Sequence, residues 1–358
     1  MATWHYKRIV VKVGTNVLTR DDGSLDITSI SHITDQLAAL KKQGVGVVLV
    51  SSGAVGAGRE LLPEAVHFDT VVRRQMLSAI GQVRLMELYR QLFSGHRLLC
   101  GQILATREDF RDRTHYLNMR NCIEALLHDQ VVPILNENDA VSVTELMFTD
   151  NDQLASLVTT MLNADALIIL SSVDGLFTAA PGTPDARLIT ELAAYEDAQQ
   201  YVAPVKSSFG RGGMDTKLRM AQQTARLGAD VILANGRRPN ILIDVLNDAA
   251  PCTKVRKGMA PSSVKKWLAH EPDTKGSVQI NEGAQQALTD ANHVSSLLPV
   301  GIIDMKGDFK KGDLVRILAT DNTPIGIGLA QYDAEQLKPI LGKKGSKAFI
   351  HYDYLLVY

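Results

Sequence analysis

Three clusters of polar residues each follow a short apolar run, and this arrangement constrains the fold more than any other feature of the chain. The clusters are residues 12–16 after the run 8–11, residues 51–58 after the run 47–50, and residues 136–139 after the run 131–135. Short runs rich in β-branched residues are typical of buried parallel strands. Open α/β sheets bind ligands outside the carboxyl ends of their strands. We therefore expect the three clusters to share one edge of a sheet.

Strand-like and helix-like segments alternate through the first 234 residues. The predicted strands are 9–13, 45–50, 98–104, 131–135, 166–170 and 230–234, and the predicted helices are 30–42, 70–93, 118–129, 153–163 and 216–227. Alternation of this kind predicts a mainly parallel sheet with helices on both faces, which is a three-layer α/β sandwich.

The pattern changes after about residue 243. A basic, turn-rich stretch comes first, and short β-rich segments follow at 278–280, 301–303, 314–318, 325–331 and 349–352. These segments predict a small barrel-like domain. We therefore expect an α/β domain at 1–250, a basic linker at 251–275 and a β-rich domain at 276–358.

Composition excludes several classes of protein. A chain of 358 residues with 45% hydrophobic content can bury a large core. Its three cysteines show no CxxC spacing, so neither a disulfide framework nor a zinc site is indicated. The net charge of −1 does not by itself favour nucleic acid. Residues 1–8 hold no apolar signal region, and no run approaches the roughly 20 apolar residues of a membrane span, so we expect a cytosolic protein.

Lys12 lies inside an apolar run, and a buried ammonium group requires an anionic partner. The alternative is a strand-end lysine whose head reaches solvent. Residues 51–58 (SSGAVGAG) have the order of strand, glycine turn and helix that presents backbone N–H groups to a phosphate or a carboxylate. Glycine turns are also common packing devices, and neither GxGxxG nor a Walker motif occurs.

Two further segments carry chemical signals. Residues 136–139 (NEND) and 149–153 (TDNDQ) hold more amides and carboxylates than a helix cap needs, which suits an ammonium and carboxylate pair or Mg²⁺ held through water. Residues 207–217 form a glycine-rich loop that enters a helix, with Lys217 in its first turn. A cation is unfavourable at a helix N-terminus, so an anionic ligand would explain Lys217, whereas a plain mobile loop is the alternative.

Taken together, these segments resemble the amino-acid kinase family. The resemblance is carried by Val11-Lys12-Val13-Gly14-Thr15, Ser51-Ser52-Gly53-Ala54, the helix of residues 75–82 (QMLSAIGQ), Asn136-Glu137-Asn138-Asp139-Ala140-Val141, Asp150-Asn151-Asp152 and Gly212-Gly213-Met214-Asp215-Thr216-Lys217. Residues 281–284 and 295–302 resemble the PUA domain that some members carry. The resemblance covers nearly the whole chain and implies the amino-acid kinase fold for its first part.

The resemblance implies transfer of the γ-phosphoryl group of MgATP to the side-chain carboxylate of L-glutamate, the first step of proline synthesis from glutamate. That carboxylate, with a pKa of about 4.3, is already ionised at neutral pH, so the reaction requires no general base. Other acceptors remain open: aspartate, N-acetylglutamate or a nucleoside monophosphate. A nonenzymatic alternative is an RNA-binding or amino-acid-sensing protein that retains the fold.

By the same resemblance, Lys12 and Lys217 contact the transferring phosphoryl group, and Asp152 orients them or the metal. The residues implied to bind the acceptor are Ser52, Gly53, Asn136, Asp139 and Asn151, with Asp139 facing the α-ammonium group. The residues implied to bind ATP are Lys12, Gly14, Ser171, Ser172, Arg211, Gly212, Gly213, Met214, Asp215, Thr216 and Lys217. Mg²⁺ is expected to be held mainly through the ATP phosphates.

Two positions depart from the family pattern. Ser172 stands where many members carry an acidic residue, for which Asp174 is a candidate replacement, and Arg211 stands where some carry a small hydroxylated residue. The adenine and ribose contacts are therefore not fixed by the resemblance.

The resemblance also implies partners. A homo-oligomer (dimer or tetramer), feedback inhibition by proline and functional coupling to glutamate-5-semialdehyde dehydrogenase are expected. For the PUA-like domain we favour a structural or regulatory role over RNA binding, because lysines in turns are usually solvated; the candidate lysines are Lys306, Lys310, Lys311, Lys343, Lys344 and Lys347.

Overall fold

A computed structural model describes residues 5–62, 69–141, 151–179, 182–196, 214–260, 262–269, 274–290 and 293–358. The chain divides into two compact units. The first comprises Met1–Asp109 and Arg113–Ala260, and the second comprises Phe110–Asp112 and Pro261–Tyr358. None of the helices within the described ranges is both long enough and apolar enough to cross a membrane.

Both units contain helices and strands, which alternate along most of the first unit. The helices are α1 (Thr15–Leu18), α2 (Ile27–Lys42), α3 (Ala54–Leu61), α4 (Thr70–Gly95), α5 (Arg107–Arg111), α6 (Arg113–His128), α7 (Asn151–Met161), α8 (Met214–Arg226), α9 (Ile241–Leu246), α10 (Ser263–Leu268), α11 (Glu282–Thr289) and α12 (Ala334–Leu337). The strands are β1 (Arg8–Val13), β2 (Gly46–Ser51), β3 (Cys100–Ala105), β4 (Val132–Glu137), β5 (Ala166–Ser171), β6 (Leu176–Phe177), β7 (Leu188–Ile189), β8 (Glu191–Ala193), β9 (Asp230–Asn235), β10 (Cys252–Arg256), β11 (Gly276–Ile280), β12 (Ile302–Gly307), β13 (Leu314–Leu318), β14 (Pro324–Leu329) and β15 (Leu355–Val357).

An eight-stranded sheet forms the centre of the first unit, in the order β3-β4-β2-β1-β5-β9-β10-β8. Its neighbouring strands are parallel except at β9 and β10. Helices cover the sheet, and short β6 and β7 pair separately. The predicted α/β sandwich around a mainly parallel sheet is confirmed.

The central strand β1 explains how a lysine comes to lie among apolar residues. Ile9, Val11 and Val13 all belong to the hydrophobic core that α2, α4 and α9 cover. Because side chains alternate across a strand, Lys12 faces the opposite side of the sheet, where α7 packs. Lys12 is nevertheless buried, with 5% of its surface exposed.

Helices α3 and α4 cross at unusually close range because glycines replace side chains at the contact. A Cβ atom added at Gly81 would overlap the carbonyl oxygen of Ala54, and one at Gly58 would overlap that of Leu77. Backbone therefore packs directly on backbone here. This contact fixes α4 relative to α3, which starts just after the carboxyl end of β2.

The second unit contains a five-stranded sheet in the order β12-β11-β13-β14-β15. Its hydrophobic core includes Phe309 and Phe349, whose ring centroids lie 5.8 Å apart. The six lysines named as candidates for RNA contact are all exposed. A β-rich C-terminal domain is confirmed, although its last strand is β15 rather than the predicted segment 349–352. Tyr352–Tyr354 instead forms a 3-10 turn in which the side chain of His351 accepts a hydrogen bond from Asp353 N.

The segment 251–275, predicted as a basic linker, differs in the structure. Strand β10 lies within it and pairs with β9 and β8 in the large sheet, and the two units divide at residue 260. Two of its basic side chains have acidic partners, since Lys254 pairs with Asp248 and Arg256 pairs with Glu191. The basic residues of β10 resembled a solvated linker in composition, because the sequence alone does not show which acidic residues they pair with.

We predict that Gly81→Ala destabilises the first unit by about 3 kcal/mol or more, because the added methyl forces two backbones apart. Gly95→Ala, in the same helix with no atom near the new methyl, should be neutral or stabilising by up to about 1 kcal/mol. Urea unfolding of both variants measures the difference. Equal stability of the two variants would show that the crossing tolerates a side chain.

Candidate active site

The carboxyl ends of the central strands meet at one edge of the sheet. Val13 of β1 pairs with Ser51 of β2 and with Leu170 of β5, and Val50 of β2 pairs with Leu135 of β4. The residues that follow these strands therefore emerge side by side. The expectation that the three polar clusters share one edge is confirmed.

Two lysines from distant parts of the chain meet at one carboxylate on this edge. The Nζ atom of Lys12 lies 2.5 Å from Oδ1 of Asp152, and Nζ of Lys217 lies 2.5 Å from Oδ2. Lys12 comes from β1, Asp152 from the first turn of α7 and Lys217 from the first turn of α8. The carboxylate therefore holds both ammonium groups at a single point.

The Asp152 side chain is fully buried and remains ionised. Burial alone would raise the pKa of this carboxyl, but the adjacent ammonium groups of Lys12 and Lys217 outweigh burial and lower the pKa below its usual range. Asp152 is therefore a fixed negative charge that keeps two cations in place.

Ser52, Asn136 and Asn151 form a second cluster. Asn151, the first residue of α7, donates from Nδ2 to Oγ of Ser52 at 2.9 Å and to Oδ1 of Asn136 at 3.0 Å. Its own Oδ1 is buried and has no hydrogen-bond partner among the described residues. The cluster therefore offers a buried acceptor beside the Lys12 and Asp152 pair, since Asn151 and Asp152 are consecutive.

Asp139 lies in a third cluster, where helix α4 contacts the end of β4. The guanidinium of Arg74 donates to Oδ1 of Asp139, with Nε at 3.0 Å, and also reaches Oε2 of Glu137 at 3.4 Å. Ser78 donates to Oδ2 of Asp139 at 3.2 Å. One helix turn further along α4, Gln82 accepts a hydrogen bond from Asn136 Nδ2 at 2.9 Å.

Sequence reasoning assigned Arg74, Ser78 and Gln82 no role in this site, although the helix of residues 75–82 contributes to the family resemblance. A signal exists, because the three residues recur at four-residue intervals and so lie on one face of α4. That face would have been expected to be apolar, since the helix also contributes Leu77 and Leu85 to the interior.

Two of the glycines assigned to the site, Gly14 and Gly53, serve different purposes. Gly53 has φ +104° at the start of α3, a left-handed conformation that favours glycine, and the atoms nearest to an added Cβ belong to Leu18 and Leu25, at 3.6 Å. A Cβ at Gly14 would lie 3.6 Å from Nζ of Lys12 and 3.3 Å from the carbonyl oxygen of Leu170. Gly14 thus leaves room beside the lysine head.

Comparison with known proteins connects this geometry to a family. The model of the amino acid kinase family matches residues 7–235, and the model of the PUA domain matches residues 276–350. The chain belongs to the amino acid kinase family. The first match spans the strands that carry Lys12, Ser52 and Asn136, together with both helices that supply Asp152 and Lys217.

Similar proteins span the full length of the chain. Glutamate 5-kinase of Bacteroides thetaiotaomicron is 46% identical over 356 residues, covering 98% of this chain and 99% of that protein. Glutamate 5-kinase of Chlorobaculum tepidum is 49% identical over 353 residues, covering 98% and 97%. The carbamate kinase of Giardia lamblia bound to AMP-PNP shares the fold, with a TM-score of 0.53 at 20% identity over 71% of this chain and 99% of that one.

The structure describes some, but not all, of the residues expected from the family to bind the nucleotide. Ser171 ends β5 and its Oγ donates to the carbonyl oxygen of Val173 at 3.1 Å, whereas Ser172 is exposed. Asp174, the suggested replacement for an acidic residue at 172, accepts two hydrogen bonds from Arg238, which hold the pKa of its carboxyl below the usual range. Thr216 is half-buried in α8, and the backbone of Met214 and Asp215 begins that helix. Arg211, Gly212 and Gly213 lie outside the described residues.

Metal binding by side chains alone is not indicated at this edge of the sheet. Within the described ranges, no three His, Cys, Asp or Glu side chains are grouped so that they could hold a metal ion. Both carboxylate oxygens of Asp152 contact an ammonium group. These residues fit a metal that arrives bound to a phosphate ligand.

We predict that Asp152→Asn lowers the free energy of unfolding at pH 7 by about 3 to 5 kcal/mol, because it leaves buried ammonium groups without their counter-charge. The pKa of Asp152 is lower in the folded state, so its stabilisation is complete above the unfolded-state pKa of about 3.9 and is lost as the pH falls through the folded value.

The difference between wild type and Asp152→Asn should therefore shrink below about pH 4. Denaturant unfolding of both proteins from pH 7 down to pH 3 measures it. A difference that stays constant over this range would contradict a role for the ionised carboxylate.

Proposed function

We propose that the protein transfers the γ-phosphoryl group of MgATP to the side-chain carboxylate of L-glutamate, forming L-glutamate 5-phosphate in the first step of proline biosynthesis. The observation that carries this proposal is the meeting of Lys12 and Lys217 at Asp152. Near-complete alignment with proteins named glutamate 5-kinase supports glutamate as the acceptor.

Repulsion between anions is the main obstacle in this reaction. An ionised carboxylate must approach a polyanionic nucleotide, and phosphoryl transfer is catalysed largely by positioning and by charge stabilisation. Two ammonium groups held at one point can contact the transferring group from two sides. Asp152 keeps them there before substrates bind, so the cations need little reorganisation during the reaction.

The second and third clusters are suited to an amino acid. An α-ammonium group needs hydrogen-bond acceptors. The buried Oδ1 of Asn151 and the carboxylate of Asp139 are acceptors of this kind. Ser52 and Asn136 add polar groups beside them. We place glutamate here, with its side-chain carboxylate directed toward Lys12.

Magnesium enters the proposal as part of the nucleotide. When bound to the phosphates of ATP, Mg²⁺ neutralises charge on the transferring group. In this proposal Mg²⁺ would be held mainly through those phosphates. The roles assigned to the protein's own groups, the two lysines and Asp152, are to bind, orient and stabilise charge.

The test traps the acyl phosphate as a hydroxamate. Purified protein with MgATP and hydroxylamine should form hydroxamate and ADP with L-glutamate and not with L-aspartate, N-acetylglutamate or UMP. Lys12→Ala and Lys217→Ala should each reduce the rate by at least about a hundredfold, because each removes a cation at the reacting group. Both variants should remain folded by circular dichroism.

Lys42→Ala is the matched control, because this lysine is exposed at the end of α2 and its loss should leave the rate unchanged. Product with a different acceptor would retain the kinase but overturn glutamate as its substrate. Wild-type rates in either active-site lysine variant would refute the role of that lysine, and no product with any acceptor would favour the noncatalytic alternative.

Partners follow from the same proposal. We expect a homo-oligomer, inhibition by proline in competition with glutamate, and delivery of the product to glutamate-5-semialdehyde dehydrogenase. Light scattering coupled to size exclusion should give a mass of at least two chains, and proline should slow the reaction most at limiting glutamate. A monomer, or a rate that proline leaves unchanged at limiting glutamate, would contradict these expectations.

A further inference from the structure

Helix α4 contacts both halves of the proposed acceptor pocket through three polar residues on one face. Arg74 and Ser78 bind the carboxylate of Asp139, and Gln82 binds the amide of Asn136. The i, i+4, i+8 spacing aligns these side chains along the helix. We call Arg74, Ser78 and Gln82 the α4 polar row.

Arg74 lies beside two neighbouring carboxylates at the end of β4. Glu137 and Asp139 lie two residues apart and are 5% and 6% exposed. Two carboxylates so close together in a buried site repel each other unless a cation compensates them. The guanidinium of Arg74 contacts both carboxylates and offsets this repulsion.

The geometry of the Arg74 contact leaves hydrogen-bonding capacity on one carboxylate oxygen of Asp139. Nε and one terminal nitrogen of Arg74 both approach Oδ1, at 3.0 Å and 2.7 Å. The other oxygen, Oδ2, receives Ser78 Oγ at 3.2 Å. Because a carboxylate oxygen accepts more than one hydrogen bond, Oδ2 retains capacity for an ammonium donor.

Gln82 fixes the orientation of the other half of the pocket. Its Oε1 accepts from Asn136 Nδ2, which turns Asn136 Oδ1 toward Asn151 Nδ2 at 3.0 Å. Asn151 in turn binds Ser52 at 2.9 Å. A single hydrogen-bonded chain thus runs from α4 through Asn136 and Asn151 to the end of β2.

The position of the polar row is itself rigid. Gly58 and Gly81 bring α3 and α4 into backbone contact, and Gly81 precedes Gln82 directly. Since α3 begins after Gly53, next to Ser52, the contact ties the polar row to the strand end that carries Ser52. The row therefore has the rigidity that positioning a ligand requires.

We propose that the α4 polar row positions the acceptor-binding residues, and that Arg74 holds the carboxylate of Asp139 in the orientation that selects an acceptor with an α-ammonium group. This inference rests on the proposed function and deepens it. Arg74 acts through Asp139, so it is a positioning residue rather than a group that touches the substrate.

The experiment compares L-glutamate with glutarate, which has the same two carboxylates and no ammonium group. Hydroxamate formation gives kcat/KM for each acceptor, and their ratio measures selection of the ammonium. Arg74→Met should reduce this ratio tenfold or more, through a higher KM for glutamate, with the KM for ATP changed less than twofold. Arg74→Lys should recover part of the ratio, because it restores the cation without the paired nitrogens.

Arg73→Met is the matched control, since the neighbouring arginine is exposed and its loss changes the net charge equally. It should keep the wild-type ratio. A wild-type ratio in Arg74→Met and Arg74→Lys would overturn the inference, and so would an equal loss of kcat/KM with both acceptors, which is the signature of a merely structural residue. Absence of glutamate-dependent hydroxamate from the wild-type protein would instead overturn the proposed function, and the inference with it.

Discussion

Lys12 lies in the central strand of a buried sheet, and the desolvation cost of its ammonium group governs how the site is arranged. Removing a charge from water costs several kcal/mol unless a partner compensates. Asp152 supplies that partner, and by accepting Lys217 at its second oxygen it also fixes the start of α8. The parallel register of β1 between β2 and β5 then brings the polar ends of neighbouring strands to the same place.

The sequence was sufficient to predict six of the eight strands of the large sheet, five of which are almost entirely buried. Runs such as residues 47–50 and 166–170 are continuously apolar, and glycines such as Gly44 (φ +87°) end the helix before the next strand. The helix predicted at 70–93 is α4, Thr70–Gly95. Local hydrophobic patterns thus predicted the order of helices and strands. The rules for parallel sheets predicted that the strand ends meet at one edge.

Elements with mixed composition were harder to predict. Strand β10 carries Lys254 and Arg256, and only their tertiary partners Asp248 and Glu191 distinguish a paired strand from a solvated segment. The same limit applies to the site. Lys12 and Lys217 stood out because a cation in an apolar strand and a cation at a helix N-terminus both violate local preference, whereas Asp152 was assigned through the family resemblance. Arg74 violates none, since arginine is common in helices, so its contact with Asp139 required the folded structure.

The close crossing of α3 and α4 explains why a helix without an anomalous residue became part of the site. Side chains normally separate packed helices by 8 to 10 Å, a spacing that leaves room for small adjustments. Backbone contact at Gly58 and Gly81 removes that room, so the row from Arg74 to Gln82 is held at a fixed distance from α3. Precision at Asp139 and Asn136 therefore derives from two glycines that touch neither residue. The packing between α3 and α4 and the hydrogen bonds of the acceptor pocket therefore act together on the positions of the same side chains.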